Sequence, residues 1–365
     1  MTLTLSGILT EVDELVRPDL LRSLDRIDER TRRTAGYQLG FWDADGIPTT
    51  RGGGKGLRPA LVLLSARAAG RPARDGVPAA VAIELVHNFS LLHDDVIDRD
   101  VERRHRPTAW AAFGIGPAIL AGDALLALAG EVLAEAPAPG GPAAARCLAG
   151  AVRRLIAGQA EDVAFEQRLD VTLDECLAMA RGKTAALLSC AAAIGAELCA
   201  APAALRAGLA RYGDQLGLAF QLADDLLGIW GEPAVTGKPV LADLRARKKS
   251  VPVVRALTAG GPASERLAEL YARPGELSDA DLALAAALIE ETGARDWTAK
   301  QADRLRTEAL AELDALAALD GAAGIDGAAG IDGAAGMDGA AGMGGLADAH
   351  DELVALAHFS TGRNH

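Results

Sequence analysis

Apolar residues recur at helical spacing along nearly the whole chain, and no convincing alternation of apolar and polar residues marks a strand. That pattern limits the fold more than any single motif. A chain of amphipathic helices must bury their stripes against one another, which leaves a helical bundle as the natural architecture. Composition agrees: half of the residues are hydrophobic, much of that is alanine, and aromatics make up 4%. Alanine loses least on entering a helix, whereas β-branched and aromatic residues favour strands. Breaks fall at "TTRGGGKGLRP", "GRPARDG", "APAPGGP" (136–142) and "GEPAVTGKP" (231–239), which read as connections. The expectation is an all-α bundle of ten or more helices forming one large domain over residues 1–320.

Residues 321–344 repeat a glycine- and alanine-rich hexamer, "GAAGIDGAAGIDGAAGMDGAAGMG". Glycine stands at every third position, as in collagen, but there is no proline and the run is too short for a triple helix. Residues 321–345 are therefore expected to be a flexible low-complexity insertion, with no chemistry assigned. "LADAHDELVALAHFS" resumes helical spacing, so residues 346–365 are expected to return to the bundle as a C-terminal helix.

A net charge of −13 argues against nucleic acid as a partner. The four cysteines (Cys147, Cys176, Cys190, Cys199) form no CxxC pair, lie in alanine-rich segments and suit a reducing cytoplasm. The N-terminus carries acids from Glu11 onward and no basic leader. The most apolar stretch, "TAALLSCAAAIGAELCAAPAAL", is interrupted by Glu197 and Pro202 and reads as a core helix rather than a membrane span.

The stretch "HNFSLLHDDVIDRDVERRHRP" (87–107) carries chemistry. Asp94, Asp95 and Asp98 fall within five residues of an otherwise apolar segment, and Arg103, Arg104 and Arg106 follow. Residues four apart share a helix face, so Asp94 and Asp98 point the same way with Asp95 at their flank. A solvated acidic face would explain most such runs, but the apolar flank "ELVHNFSLLH" argues for burial. Buried like charges are untenable without a cation, and a hard divalent ion such as Mg²⁺ takes oxygen ligands. A second apolar segment, "GLAFQLADDLLGIWGEPAVTGKP", carries Asp224 and Asp225. Two such helices suggest a shared trinuclear Mg²⁺ site gripping a diphosphate. The arginines are then expected to stand apart from the acids and hold anionic substrate. Lys55 and Arg58 in the glycine-rich loop, Lys183 with Thr184 in "GKTAALL", Lys238 and Lys248 are further candidates. "GGGKGLRP" lacks the GK[ST] ending of a Walker A loop.

These motifs resemble those of the trans-isoprenyl diphosphate synthases, the polyprenyl synthetase family. "DDVID" with its following "RR" is similar to the first aspartate-rich motif, and "GGKGLRP" to the isopentenyl-binding loop. The KT, FQxxDD and GK…D…KK segments follow in order between about residues 50 and 255. The resemblance implies a helical bundle with a central apolar cavity and a magnesium-assisted condensation of isopentenyl diphosphate with an allylic diphosphate. It implies that Asp94 and Asp98 ligate two Mg²⁺, that Asp95 supports them, and that Asp224 ligates a third. Arg103, Lys183, Lys238 and Gln221 would contact the allylic diphosphate or its metal shell, with Lys248 closing over it. Lys55, Arg58, His87 and Arg104 would hold isopentenyl diphosphate, while Thr184, Gln159 and Asp162 would line the cavity. A homodimer is also implied. The second motif departs from the family: Gly228 stands where its last aspartate is usual, which is expected to weaken metal binding without abolishing it.

Phe89 lies five residues before Asp94, about 7.5 Å along a helix, with the small Ser90 beside it. In the family such an aromatic resembles the C20-forming type, so geranylgeranyl diphosphate is the expected product, with C15 or C25 as alternatives. Three rival readings differ in kind. A class I terpene cyclase would not need the GGKxxRP loop or His87. A non-catalytic partner subunit would commonly lack the first acid cluster. A ferritin-like dimetal bundle needs two Glu-x-x-His motifs, and only "ELVH" is present.

Overall fold

The structure, a computed structural model, describes residues 4–49, 56–232, 240–328 and 345–362. In chain order it contains α1 (Leu5–Leu24), α2 (Glu29–Gln38), α3 (Leu57–Ala68), a 3₁₀ turn (Ala73–Gly76) and α4 (Val77–Ile97). A hairpin of β1 (Glu102–Arg103) and β2 (Arg106–Pro107) leads to α5 (Ala109–Phe113), α6 (Ile115–Ala134) and α7 (Gly141–Phe165). Next come α8 (Leu173–Ala180), a π-helical turn (Arg181–Ala185), α9 (Ala186–Leu198) and α10 (Ala203–Trp230). The remainder is α11 (Ala242–Arg245), α12 (Val251–Leu257), α13 (Pro262–Ala272), α14 (Asp279–Glu291), α15 (Ala294–Ala328) and α16 (Leu346–Thr361). The all-α expectation holds, and the connection at 136–142 falls between α6 and α7. The hairpin is the one departure: two residues per strand are too few to give an alternating pattern.

Two compact units are present. The first comprises Met1–Gly150, Leu187–Gly213 and Leu310–Ala357. Its core is α4, whose Ala79, Ala80, Ala82, Ile83, Leu85, Val86 and Leu92 are wholly buried. A helix that is apolar on every side can only be a central one, which is why so many of its residues are small or aliphatic. Gly76 and Pro78 start it, the proline sitting where its missing N–H costs nothing. Arg99, in left-handed backbone at φ 57°, follows its end.

The last helix, α16, belongs to this first unit over most of its length. Glu352 is 2% exposed and accepts a 2.6 Å hydrogen bond from Arg67 Nη1, while Arg67 Nη2 binds Glu11 on α1. Tyr212, fully buried, donates to the Leu353 carbonyl at 2.8 Å. Gly345 precedes α16 so closely against α3 that a Cβ there would lie 2.0 Å from the Arg67 carbonyl oxygen.

The second unit comprises Ala151–Ala186, Asp214–Ala309 and His358–His365. One of its apolar clusters gathers Phe165, Cys176, Ala180, Leu218, Leu222, Val251 and Val254. Another joins Ile229 and Leu244 to Leu267, Leu282 and Ile289. Thr172 and Ser278 close capping boxes with Glu175 and Asp281, which fix the starts of α8 and α14.

Two observations bear on the sequence expectations. The repeat expected to loop out begins inside α15, which continues to Ala328, since alanine sustains a helix despite interspersed glycine. Residues 329–344 lie outside the described residues. By length and composition alone, the segments Ile115–Ala134 and Leu173–Leu198 are apolar enough to cross a membrane. The second is largely core, with Cys176, Leu188, Ala191 and Ile194 buried, whereas α6 leaves Ile115, Ile119 and Leu120 exposed.

Candidate active site

In the first unit, the C-terminal end of α4 gathers the first acid cluster. Asp94 and Asp95 lie in its last turn, and Asp98 is its C-cap, donating its N–H to the Asp94 carbonyl at 2.8 Å. No basic residue occupies that turn. Three carboxylates at the negative end of a helix dipole are destabilising, so the arrangement favours a cation. The acids are not equivalent. Asp95 is 1% exposed, whereas Asp94 and Asp98 are partly open to solvent.

Arg103 Nε donates to Asp95 Oδ1 at 2.7 Å, and its Nη2 lies at the same distance. The expectation that the arginines stand apart from the acids is thus corrected for this pair. The β1–β2 hairpin turns the chain back on α4, through Arg104 and His105 at φ 53° and 58°. That two-residue turn needs left-handed backbone at both central positions, which asparagine and glycine adopt more readily than arginine and histidine. Arg106 serves the fold instead: its guanidinium stacks 4.3 Å over Tyr37.

Beside the acids lies a cationic pocket. Arg58 Nη1 is 3.2 Å from His87 Nε2. A guanidinium can only donate, so Nε2 accepts and the imidazole is neutral with its proton on Nδ1. Electrostatics agree, since burial and then Arg58, Arg104 and Arg103 hold the His87 pKa well below the usual histidine range. Arg58, Arg104 and Arg103 therefore all lie close enough to His87 to act on its charge. Lys55 lies outside the described residues. Glu84 accepts from Asn88 Nδ2 at 3.0 Å, and burial raises its pKa. With Glu84 and His87 thus engaged, "ELVH" is no half of a dimetal site.

Phe89 and Ser90 are buried one turn nearer the start of α4. The Phe89 ring meets His93 edge-on at 4.9 Å, and His93 Nε2 reaches the Ile119 carbonyl on α6 at 3.1 Å. Gly122 makes this possible, because a Cβ there would lie 2.3 Å from His93 Nε2.

The second unit holds the other candidates. Lys183 Nζ, in the π turn, pairs with Asp162 Oδ2 on α7 at 2.5 Å. Thr184 donates to Gln221 Oε1, and Gln221 Nε2 donates to Asp225 Oδ1 at 2.7 Å. Asp225 Oδ2 accepts the Val251 N–H at 2.9 Å. Asp225 is 7% exposed, and burial, then Asp243 and Asp224, push its pKa up to about 7 against those two hydrogen bonds. Asp224 beside it is exposed. Gln159 is 8% exposed, and neither polar atom of its amide has a hydrogen-bond partner among the described residues.

Lys248 is half-buried and donates its N–H to the Asp243 carbonyl, while Lys238 lies outside the described residues. Gly228 packs against Asp243: a Cβ there would lie 2.1 Å from its Oδ2. Sequence reasoning passed over Asp243 as a candidate, and also Gly158 and Gly182, whose backbones meet beneath the π turn. The four-residue spacing of Gly158 and Asp162 was the available signal.

Among the described residues no three His, Cys, Asp or Glu side chains form a metal-binding group by themselves. The acids of each unit nevertheless suit magnesium. Asp94, Asp98 and Asp224 are hard oxygen donors open to solvent, and Mg²⁺ retains waters and takes phosphate oxygens rather than entering an all-protein cage.

The sequence pattern of the polyprenyl synthetase family matches residues 48–288. The chain belongs to the polyprenyl synthetase family. A (2E,6E)-farnesyl diphosphate synthase of Mycobacterium bovis is 50% identical over 313 residues, which span 85% of this chain and 87% of that protein. A geranylgeranyl diphosphate synthase of Mycobacterium tuberculosis is 44% identical over 304 residues, covering 81% and 85%. Among solved structures, a polyprenyl synthetase from Streptomyces coelicolor A3(2) superposes with a TM-score of 0.85 at 45% identity, covering 98% of this chain and 99% of that one. This polyprenyl synthetase is a prenyltransferase that elongates isoprenoid chains from isopentenyl and allylic diphosphates. Members of the family use a divalent metal, generally magnesium.

Proposed function

We propose that the enzyme adds isopentenyl diphosphate to an allylic primer and stops at C20, geranylgeranyl diphosphate. Support comes from the end of α4, where a neutral His87, in contact with Arg58 and under the charge of Arg104 and Arg103, precedes the acid cluster on the same helix. Arg58, His87 and Arg104, with Lys55, bind the isopentenyl diphosphate. Arg103, Lys183, Gln221, Lys238 and Lys248 bind the allylic diphosphate. Asp94, Asp98 and Asp224 would hold three magnesium ions, which when bound neutralise charge on the departing diphosphate.

The allylic C–O bond breaks, its electron pair leaving with diphosphate, and the cation is met by the isopentenyl double bond. A proton then passes from the new chain to the released diphosphate. Lys183 and Arg103 supply fixed positive charge where negative charge accumulates. The apolar body of α4 keeps water from quenching the cation.

Phe89, buried one turn below the acids and braced by His93, supports the C20 stop. The 50% identity to a farnesyl diphosphate synthase favours a second reading, release at C15. Supplying isopentenyl diphosphate with each allylic primer, with and without Mg²⁺, and sizing the products decides between them. A dominant C20 product is expected, C15 alone establishes the second reading, and no elongation overturns both. Phe89→Ala should lengthen the product, and an unchanged profile would remove Phe89 from the account.

A homodimer, in a cytoplasmic setting, is part of the same reading. The apolar face of α6 with Leu120 62% exposed supports it, and light scattering of wild type against Leu120→Arg tests it.

A further inference from the structure

The π turn that carries Lys183 and Thr184 rests on α7 through bare backbone. A Cβ at Gly158 would lie 2.2 Å from the Lys183 nitrogen and 2.7 Å from the Gly182 carbonyl carbon. A Cβ at Gly182 would lie 3.0 Å from the Arg154 carbonyl oxygen and 3.1 Å from Gly158 Cα. Contacts this short with main-chain atoms cannot be relieved by turning a side chain. Residues 154, 158 and 162 share one face of α7, so three successive turns hold the same short segment. Arg154 offers its carbonyl to the seat, Gly158 its bare Cα, and Asp162 the carboxylate that pairs with Lys183. A π turn is a costly interruption of a helix and is found chiefly where a function needs it.

We propose that Gly158 is a positioning residue for the allylic-diphosphate site: its missing side chain seats the π turn, which sets where Lys183 and Thr184 present their polar groups. This rests on the reading of those two residues as diphosphate-side groups. A side chain at 158 forces α7 and the turn apart. The long Lys183 can follow Asp162, but Thr184 is short, and its bond to Gln221 on α10 fixes its place. Gln221 is in turn tied to Asp225. A shift of the turn therefore strains the chain of bonds that reaches the second acid cluster.

The test compares Gly158→Ala, Gly182→Ala and Gly150→Ala, the last on the same helix with no atom within 4 Å of its new Cβ. For each, kcat and KM are measured separately for the allylic and isopentenyl diphosphates, with melting temperature recorded without substrate. Gly158→Ala should lose about 10²-fold in kcat/KM for the allylic substrate, the scale of an ångström-sized misplacement. Its KM for isopentenyl diphosphate should stay near that of wild type. Gly182→Ala, with milder overlap, should lose less in the same direction, and it carries the test if Gly158→Ala does not fold. Gly150→Ala should match wild type. The proposal is overturned if both glycine variants keep their allylic kcat/KM, or if both substrates suffer equally in step with melting temperature. Lys183→Ala separates the two layers. If it is crippled while Gly158→Ala is unaffected, the diphosphate reading stands and the positioning role falls; if it is fully active, both fall.

Discussion

The two aspartate pairs look alike in sequence and are held in opposite ways. In the first, the buried member, Asp95, is matched by a full positive charge on Arg103. In the second, the buried member, Asp225, is held among the described residues by neutral donors, the Gln221 amide and the Val251 N–H. Two amide hydrogens against burial and neighbouring acids leave Asp225 pushed up to about pKa 7. In both pairs the more exposed member, Asp94 or Asp224, is the one left for the solvent side. A double aspartate thus divides its labour: one member is tied into the fold and the other is left open to solvent, where a metal-bound diphosphate would meet it.

The sharpest way to break this comparison is to remove the outward members. Asp94→Asn and Asp224→Asn should each lower kcat by about 10³-fold, since a metal ligand supplies several kcal/mol of charge stabilisation. Steady-state assays over a magnesium titration check this, and a variant restored by excess metal would demote its residue to a minor ligand.

The inward members should separate by stability instead. Asp95→Asn strands Arg103 and should cost about 2 kcal/mol in urea unfolding, the low side for a broken buried pair because Arg103 keeps 27% of its side chain exposed. Asp225→Asn should cost about 1 kcal/mol at pH 4, where the native carboxyl is protonated, the scale of one disturbed hydrogen bond. Equal costs would mean that the two pairs are held alike.

Gly228→Asp would rebuild the family's usual motif, yet it should destabilise by roughly 1 kcal/mol or more through overpacking, because Asp243 already fills that space. An unfolding midpoint in urea equal to that of wild type would contradict this.

A slope with pH sharpens the account of the second pair alone. With its folded pKa above the unfolded value of 3.8, Asp225 binds its proton more tightly in the native state. Metal-free stability from this group is therefore full below about pH 4 and lost as pH rises toward 7. The difference in unfolding free energy between wild type and Asp225→Asn, followed over that range in a chelator, should shrink accordingly.

Much of this could be read from residues alone. Helical periodicity gave the helices, and the two acid pairs with their flanking motifs gave the chemistry, because those signals are local and repeated. What stayed hidden was pairing across the chain. Nothing in "DDLLG" says that the Val251 N–H will hold Asp225, or that Asp243 will lie against Gly228. The Arg103–Asp95 pair escaped for a related reason: it depends on a left-handed turn at two residues that rarely adopt one. The alanine-rich start of the repeat was read as loop because glycine periodicity outweighed the helix propensity between the glycines.

The grip of Arg67 on Glu11 and Glu352 has a consequence for biosynthesis. Glu11 and Arg67 are made 56 residues apart, but their third partner follows Arg67 by 285 residues. The nascent chain can assemble α1 to α4 while it grows, yet that arginine waits, half-satisfied, for α16. The first unit is therefore completed only once α16 has been made, and a chain stalled or clipped before Glu352 leaves Arg67 with one of its two carboxylates.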